Sequence, residues 1–206
     1  MMIYLIQAPL GFKFKQEAKY NYDLSIDTPI FRKGRYIAKS ELNKPIIFNI
    51  KLTTQDTVKF DQIINNSSCL LVNQKIIDIL NKLIPEEVQF FDTEIRCKDG
   101  VLTNYKLVNI TQKIEGANLE KSIYTKMATI DEISGFKRLI LKKECMNGHK
   151  LAILAEFPPH ILASEELKQA FESARVTGLR FVLPQDYYAE IYPYYAENSV
   201  WPRAME

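Results

Sequence analysis

The sequence predicts an α+β fold in which mixed or antiparallel sheets with hairpins pack against two main helices. Two segments carry apolar residues at helical spacing, and several short apolar runs are separated by turn-forming residue pairs. A strand, helix, strand unit also occurs twice along the chain. With 206 residues and 47% apolar content, the chain is long enough to bury a substantial core.

The N-terminal part contains two predicted strands on either side of a polar segment. Ile3 to Ile6 is an apolar run, and Pro45 to Ile50 is a second one that begins with proline, as strands tolerate. Between them, Phe12 to Ser40 is rich in lysine and aromatic residues and has little periodicity. We therefore expect residues 1–57 to form an irregular segment that contributes strands.

A first α+β half is predicted over residues 58–111. Its helix starts after Asn73, a good N-cap residue, and ends before Pro85. Two strand-like runs follow, Val88–Cys97 and Val101–Ile110, around an Asp-Gly pair that favours a tight hairpin turn. The apolar face of the helix consists of Ile76, Ile77, Ile79, Leu80, Leu83 and Ile84.

A second α+β half is predicted over residues 112–206, and the two halves are expected to form one compact unit. Asn147-Gly148 predicts a hairpin between Arg138–Cys145 and Lys150–Ala155. Ser164 is a good N-cap for a helix that ends before Thr177-Gly178. A strand over residues 179–183 follows, and the helix carries its apolar face on Leu167, Ala170, Phe171 and Ala174.

The two halves match each other without a gap. Leu70-Leu71-Val72-Asn73 aligns with Ile161-Leu162-Ala163-Ser164, so the predicted helix caps coincide. The same frame places Val88 on Leu179 downstream and Phe60 on Leu151 upstream. This agreement predicts an internal duplication of the strand, helix, strand unit, although two unrelated units of this kind would also share apolar spacing.

Composition excludes several classes of function. The formal net charge of +2 lacks the basic excess of a dedicated nucleic-acid binder. The seven glycines are dispersed and form no phosphate-binding loop, and no metal or cofactor is expected. Three cysteines without paired spacing indicate a reducing compartment, and no apolar run has the length of a membrane helix. We therefore expect a soluble cytoplasmic protein.

Two alternatives depend on particular residues. A small enzyme with an unrecognised site would use His160 or Cys145, provided that either lies in a cleft beside a polar partner. A single-stranded nucleic-acid binder would use the N-terminal lysines for phosphates and aromatic rings for base stacking. The rings available for that purpose are Phe12, Phe14, Tyr20 and Tyr22.

The C-terminal segment is unusually rich in aromatic residues. Tyrosine and tryptophan offer large, fairly rigid contact area and are enriched at binding hot spots. The same rings could instead pack on the protein's own core, so both interpretations stay open. The residues concerned are Tyr187, Tyr188, Tyr192, Tyr194, Tyr195 and Trp201.

The second half of the chain contains a series of short motifs between Tyr105 and Leu183. These are Leu107-Val108-Asn109, the Phe157-Pro158 run that leads to Ile161-Leu162-Ala163-Ser164, and Thr177-Gly178 followed by Phe181. Together they resemble a family of bacterial immunity proteins from polymorphic toxin systems. The chain departs from the family at Leu151–Leu154, where an aromatic-arginine pair is usual.

The resemblance implies an immunity protein that neutralises a cognate bacterial toxin by tight binding. Such a protein needs no catalytic residues, and the chain shows no recognisable catalytic constellation. We therefore expect a protein partner, the toxin domain, and no enzymatic activity. The expected contact residues come from the C-terminal aromatic group: Tyr187, Tyr188, Tyr194, Tyr195 and Trp201.

Overall fold

The computed structural model describes residues 2–187 and confirms the α+β fold class. The helices are α1 (Thr54–Thr57), α2 (Gln74–Leu83) and α3 (Glu165–Ser173). The strands are β1 (Ile3–Gln7), β2 (Lys19–Tyr20), β3 (Ile47–Asn49), β4 (Leu70–Val72), β5 (Val88–Asp92), β6 (Glu94–Arg96), β7 (Val101–Leu102), β8 (Lys106–Ile110), β9 (Lys113–Ile114), β10 (Ile123–Lys126), β11 (Ile133–Arg138), β12 (Leu151–Leu154), β13 (Ile161–Ser164) and β14 (Arg180–Val182).

The predicted hairpin around Asp99-Gly100 forms, but it is divided between two sheets. Strands β5 and β8 pair in the sheet β4-β8-β5, whereas β6 and β7 pair in the sheet β2-β3-β6-β7. The turn differs from the one predicted, because neither Asp99 nor Gly100 has a positive φ. The Asp99 carboxylate instead accepts a hydrogen bond from the Thr54 backbone N–H at 2.7 Å. This tertiary bond, which replaces the local turn preference, ties the hairpin to the start of α1.

The two strand, helix, strand units have the same pairing register. In the first, Leu107 of β8 lies between Leu71 of β4 and Phe91 of β5. In the second, Leu5 of β1 lies between Leu162 of β13 and Val182 of β14. The central strand of the first unit, β8, follows that unit in the sequence, whereas the central strand of the second unit, β1, comes from the N-terminus. Matching registers are what a duplication would produce, and the duplication itself stays a prediction.

Upstream of the units, the ungapped match is wrong. The sequence alignment places Phe60 on Leu151, but in the structure Gln62 faces Val72 just as Leu151 faces Ala163. The structural equivalent of Leu151 is therefore Gln62. The connection before β13 is longer than the one before β4, so an alignment without gaps cannot follow the pairing.

Both faces of each unit's sheet are buried. Helices α2 and α3 share a central core with one face of both sheets, in which Ile76, Leu80, Leu167 and Phe171 are at most 1% exposed. The opposite face of β4 and β8 is covered by the N-terminal segment, whereas that of β13 and β1 is covered by residues 117–146. This double burial explains why β4 and β12 are continuous apolar runs and why β13 is apolar up to Ser164.

The second predicted hairpin is wrong. Asn147 and Gly148 do adopt positive φ angles, and the His149 N–H closes their turn on the Met146 carbonyl at 2.8 Å. However, β11 pairs with β10, and β12 lies between β13 and β9 in the five-stranded sheet. The turn preference is thus satisfied locally without two strands pairing across it.

The two helix starts also differ. Ser164 caps α3 as expected, because its hydroxyl accepts a hydrogen bond from the Leu167 N–H at 3.2 Å. Asn73 occupies the N-cap position of α2, but its side chain makes no capping bond. It donates to the Asp61 carboxylate instead, at 2.8 Å. The side chain expected to cap a helix therefore belongs to a buried polar cluster.

Candidate functional site

The buried polar cluster around Asp61 joins the two halves of the molecule. Asp61 is 7% exposed, and its carboxylate accepts hydrogen bonds from Asn73, from the Lys75 ammonium group at 2.8 Å and from the Thr177 backbone N–H at 2.8 Å. The Thr177 hydroxyl bonds to the same carboxylate and to the Lys59 carbonyl. Thr177 of the resemblance motif is thus a structural link to the other half.

The pKa of Asp61 lies below its ordinary value despite burial. Burial acts to raise this pKa, but the hydrogen bonds from Lys75, Thr177 and Asn73 together outweigh it. The carboxylate therefore stays ionised at neutral pH. Because the Asp61 carboxylate accepts hydrogen bonds from donors in both halves, the cluster is suited to holding the two halves together.

Gly178 allows the two halves to approach closely. Its φ is +90°, and a Cβ atom at this position would lie 1.9 Å from the Gln62 carbonyl oxygen. Glu87, in the loop after α2, makes a comparable link, since its carboxylate accepts a hydrogen bond from the Leu151 N–H at 2.9 Å. Each helix-to-strand loop thus contacts the other half: Thr177 and Gly178 contact Asp61 and Gln62, and Glu87 contacts Leu151 at the start of β12.

His160 lies in an aromatic cluster. It is 2% exposed, and its ring contacts Phe136, Phe157 and Tyr187 at centroid distances of 6.2, 4.8 and 4.6 Å. Among the described residues, its Nε2 atom has no hydrogen-bond partner. Burial lowers the pKa of His160 to about 4. The ring is therefore neutral at physiological pH.

Replacing His160 with leucine should make the free energy of unfolding less sensitive to acid. Above about pH 6.5 the ring is neutral in both the folded and the unfolded chain; below it, only the unfolded chain gains the proton. We expect the wild type to lose about 3 kcal/mol of unfolding free energy, relative to His160→Leu, between about pH 6.5 and 4. Urea unfolding of both proteins across this range tests the prediction, and parallel stability profiles would contradict it.

Cys145, the other candidate for catalysis, packs against the apolar cluster that includes Phe136 and Phe157. Cys145 is partly buried, and burial raises the pKa of its thiol, which disfavours the nucleophilic thiolate. His149 lies beside Glu87, with 3.4 Å between Nδ1 and the carboxylate. Within residues 2–187, no group of three His, Cys, Asp or Glu side chains could hold a metal ion.

The C-terminal aromatic group is only partly within the described residues. Tyr187 packs edge-on against His160 and joins the apolar cluster that includes Phe136 and Phe157. The remaining predicted contact residues, Tyr188, Tyr194, Tyr195 and Trp201, lie outside the described residues. Tyr187, the first residue of the C-terminal aromatic group, therefore packs on the buried aromatic cluster around His160.

The N-terminal aromatic residues differ in exposure, and base stacking requires exposed rings. Tyr20 was expected to be available, but it is 4% exposed and its hydroxyl donates to the Ile26 carbonyl at 2.5 Å. Phe14 and Tyr22 are 61% and 50% exposed.

In the described part of the chain, no helix is long and apolar enough to cross a membrane.

Asn109 of the Leu107-Val108-Asn109 motif is fully buried in β8. Its side-chain amide donates to the Arg35 carbonyl at 2.9 Å and to the Gln89 side chain at 2.8 Å. Sequence patterns single out the motif but give no sign of Arg35 as its partner, because the contact spans two distant segments.

The chain matches the immunity protein family (Imm11) over residues 8–185, a range that contains Asn109, His160 and Thr177-Gly178. No curated protein matches the chain. The matched range covers most of the sequence and includes both halves, which confirms the resemblance seen in the second half. The protein therefore belongs to the immunity protein family (Imm11).

Proposed function

We propose that the protein neutralises a cognate bacterial toxin by binding it directly, as part of a polymorphic toxin system. The observation that carries this proposal is the family match over residues 8–185. The protein would act in the cytoplasm of the toxin-producing cell, in keeping with its unpaired cysteines.

The proposed mechanism is stoichiometric blocking without catalysis. His160 is surrounded by aromatic rings, and burial raises the pKa of the Cys145 thiol, so neither has the polar setting of an activated catalytic group. The motif residues Asn109 and Thr177 form internal hydrogen bonds that hold loops and halves in place. Such rigidity favours tight binding, because less ordering is required when the complex forms.

Part of the proposed contact surface is the C-terminal aromatic group. Tyr188, Tyr194, Tyr195 and Trp201 would contact the toxin, with Tyr187 anchoring the start of the segment on His160. We expect the double variant Tyr194→Ala, Trp201→Ala to bind the toxin at least about tenfold more weakly, with an unchanged melting temperature. Unchanged affinity would exclude this surface.

The proposed function is tested by co-expressing the full chain with the toxin encoded beside its gene. Growth rescue together with a complex that survives purification is the expected result. Rescue without a detectable complex would contradict direct binding and would favour enzymatic reversal of the damage. Absence of both rescue and complex would contradict the assigned partner.

A further inference from the structure

Two side chains, the buried Asn109 and the partly buried Gln89, hold the backbone of an exposed loop, residues 33–41. Gln89 lies opposite Asn109 in the β5–β8 pair, and its amide both accepts the Ile37 N–H at 2.8 Å and donates to the Ile37 carbonyl at 3.1 Å. Asn109 donates to the Arg35 carbonyl at 2.9 Å. The backbone is therefore fixed on both sides of the residue between them.

The rest of the 33–41 loop is constrained as well. Gly34 has a φ of +63° and passes so close to β9 that a Cβ atom there would lie 2.2 Å from the Lys113 Cβ. The Arg35 guanidinium forms a two-pronged ion pair with Glu41, with Nη1 to Oε1 at 2.9 Å. This hydrogen bonding holds the pKa of Glu41 at about 2, so the pair stays charged at any physiological pH.

Tyr36 stands between these fixed neighbours and faces solvent. Its side chain is 69% exposed, and in the described part of the chain its ring makes no hydrogen bond or ring contact. Ile37, the next residue, is 1% exposed and belongs to the core. A tyrosine on a backbone ordered in advance loses little entropy on binding, which is the condition that favours a hot spot.

The charges around Tyr36 indicate the chemistry of its partner. Lys33, Lys39 and Lys113 are exposed and form no ion pair with any described residue. The one acidic residue in the loop, Glu41, is neutralised by Arg35. The loop and the adjoining β9 residue therefore present an exposed aromatic ring together with unpaired charges that are all positive, which complements an acidic surface.

We propose that Tyr36 is an anchor of the toxin interface, inserted into an acidic pocket of the toxin. This inference rests on the proposed function and names a binding surface for it. A protein partner is favoured over a nucleic acid because the loop offers a single exposed ring, whereas strand binding uses successive stacking platforms. The overall charge of +2 also lacks the basic excess of nucleic-acid binders.

The test measures the affinity of the full chain for the purified toxin domain by calorimetry. We expect Tyr36→Ala to raise Kd at least about 30-fold with an unchanged melting temperature, and Tyr36→Phe to raise it less than about tenfold. Tyr22→Ala is the matched control, a half-exposed tyrosine outside the loop, and should leave Kd within about threefold. Lys33→Glu with Lys39→Glu should slow association, most strongly at low salt.

The outcomes separate this inference from the proposed function. If the wild type binds and Tyr36→Ala binds equally well, the anchor is excluded while neutralisation by binding stands. If the wild type does not bind the toxin, both the anchor role of Tyr36 and neutralisation by direct binding are contradicted. A third experiment measures binding of a single-stranded oligonucleotide by fluorescence anisotropy. The assignment of the loop to the toxin would be overturned by two results together: salt-dependent oligonucleotide binding that is lost in the Lys33→Glu, Lys39→Glu variant, and toxin binding that is unchanged in the same variant.

Discussion

Gly178→Ala is expected to destabilise the protein by at least about 4 kcal/mol, a large part of the roughly 5–15 kcal/mol by which folded domains are stable. The new Cβ atom would lie 1.9 Å from the Gln62 carbonyl oxygen, which belongs to the backbone and cannot move aside as a side chain could. The same displacement would separate Thr177 from Asp61. Urea unfolding, with the slope compared between variants, measures the loss.

Gly148→Ala is the matched control for this substitution. Gly148 has a similar φ of +86°, but a Cβ atom there would have nothing within 4 Å. Its cost should be limited to the left-handed backbone, about 1–2 kcal/mol. Equal losses in the two variants would show that the conformation of Gly178, rather than its approach to Gln62, is what matters.

Asp61→Ala is expected to cost about 3–5 kcal/mol, because it leaves the Thr177 N–H, the Asn73 amide and the Lys75 ammonium group without their acceptor. Asp131→Ala is the control. Its carboxylate also pairs with a lysine, Lys126, but its side chain is 85% exposed, so the change should stay within about 0.5 kcal/mol. A loss below about 1 kcal/mol for Asp61→Ala would contradict the linking role of the cluster.

The pKa of Asp61 also gives this prediction a pH dependence. Because the folded-state pKa is lower than the ordinary value, the contribution of the ionised carboxylate is fully present at neutral pH. It is lost as the pH falls below the ordinary aspartate pKa and through the folded-state value. The stability difference between the wild type and Asp61→Ala should therefore shrink in strong acid.

Local signals in the sequence predicted the elements whose determinants are local. Ser164 caps α3 and the apolar face of α2 is buried, because each depends on residues a few positions apart. The Asp99-Gly100 hairpin also forms, but its turn is held by the Thr54 N–H rather than by the predicted positive φ angles. The Asn147-Gly148 turn also forms, yet the expected hairpin does not, because the pairing partners of β12 come from distant segments. At Asn147-Gly148 the turn preference thus predicts the turn but not the pairing.

The features that matter for the candidate site were harder to anticipate. No pattern in the sequence distinguishes Asp61, because its donor Thr177 lies in the other half of the chain. Tyr36 was one aromatic residue in an irregular lysine-rich segment, and its exposure depends on Gln89 and Asn109. These contacts join residues far apart in sequence, and neither spacing nor composition encodes them. The family motifs did point to Asn109 and Thr177, without indicating what either residue contacts.

Titration of toxin activity against the amount of this protein tests the central claim most directly. A fixed concentration of toxin, well above the Kd, is mixed with increasing amounts of the full chain, and the residual activity is measured after equilibration. Blocking by direct binding predicts a linear decline that ends at a fixed molar ratio, with no further change on longer incubation. Complete protection by a small fraction of an equivalent, growing with time, would contradict it and would show that the protein acts as a catalyst.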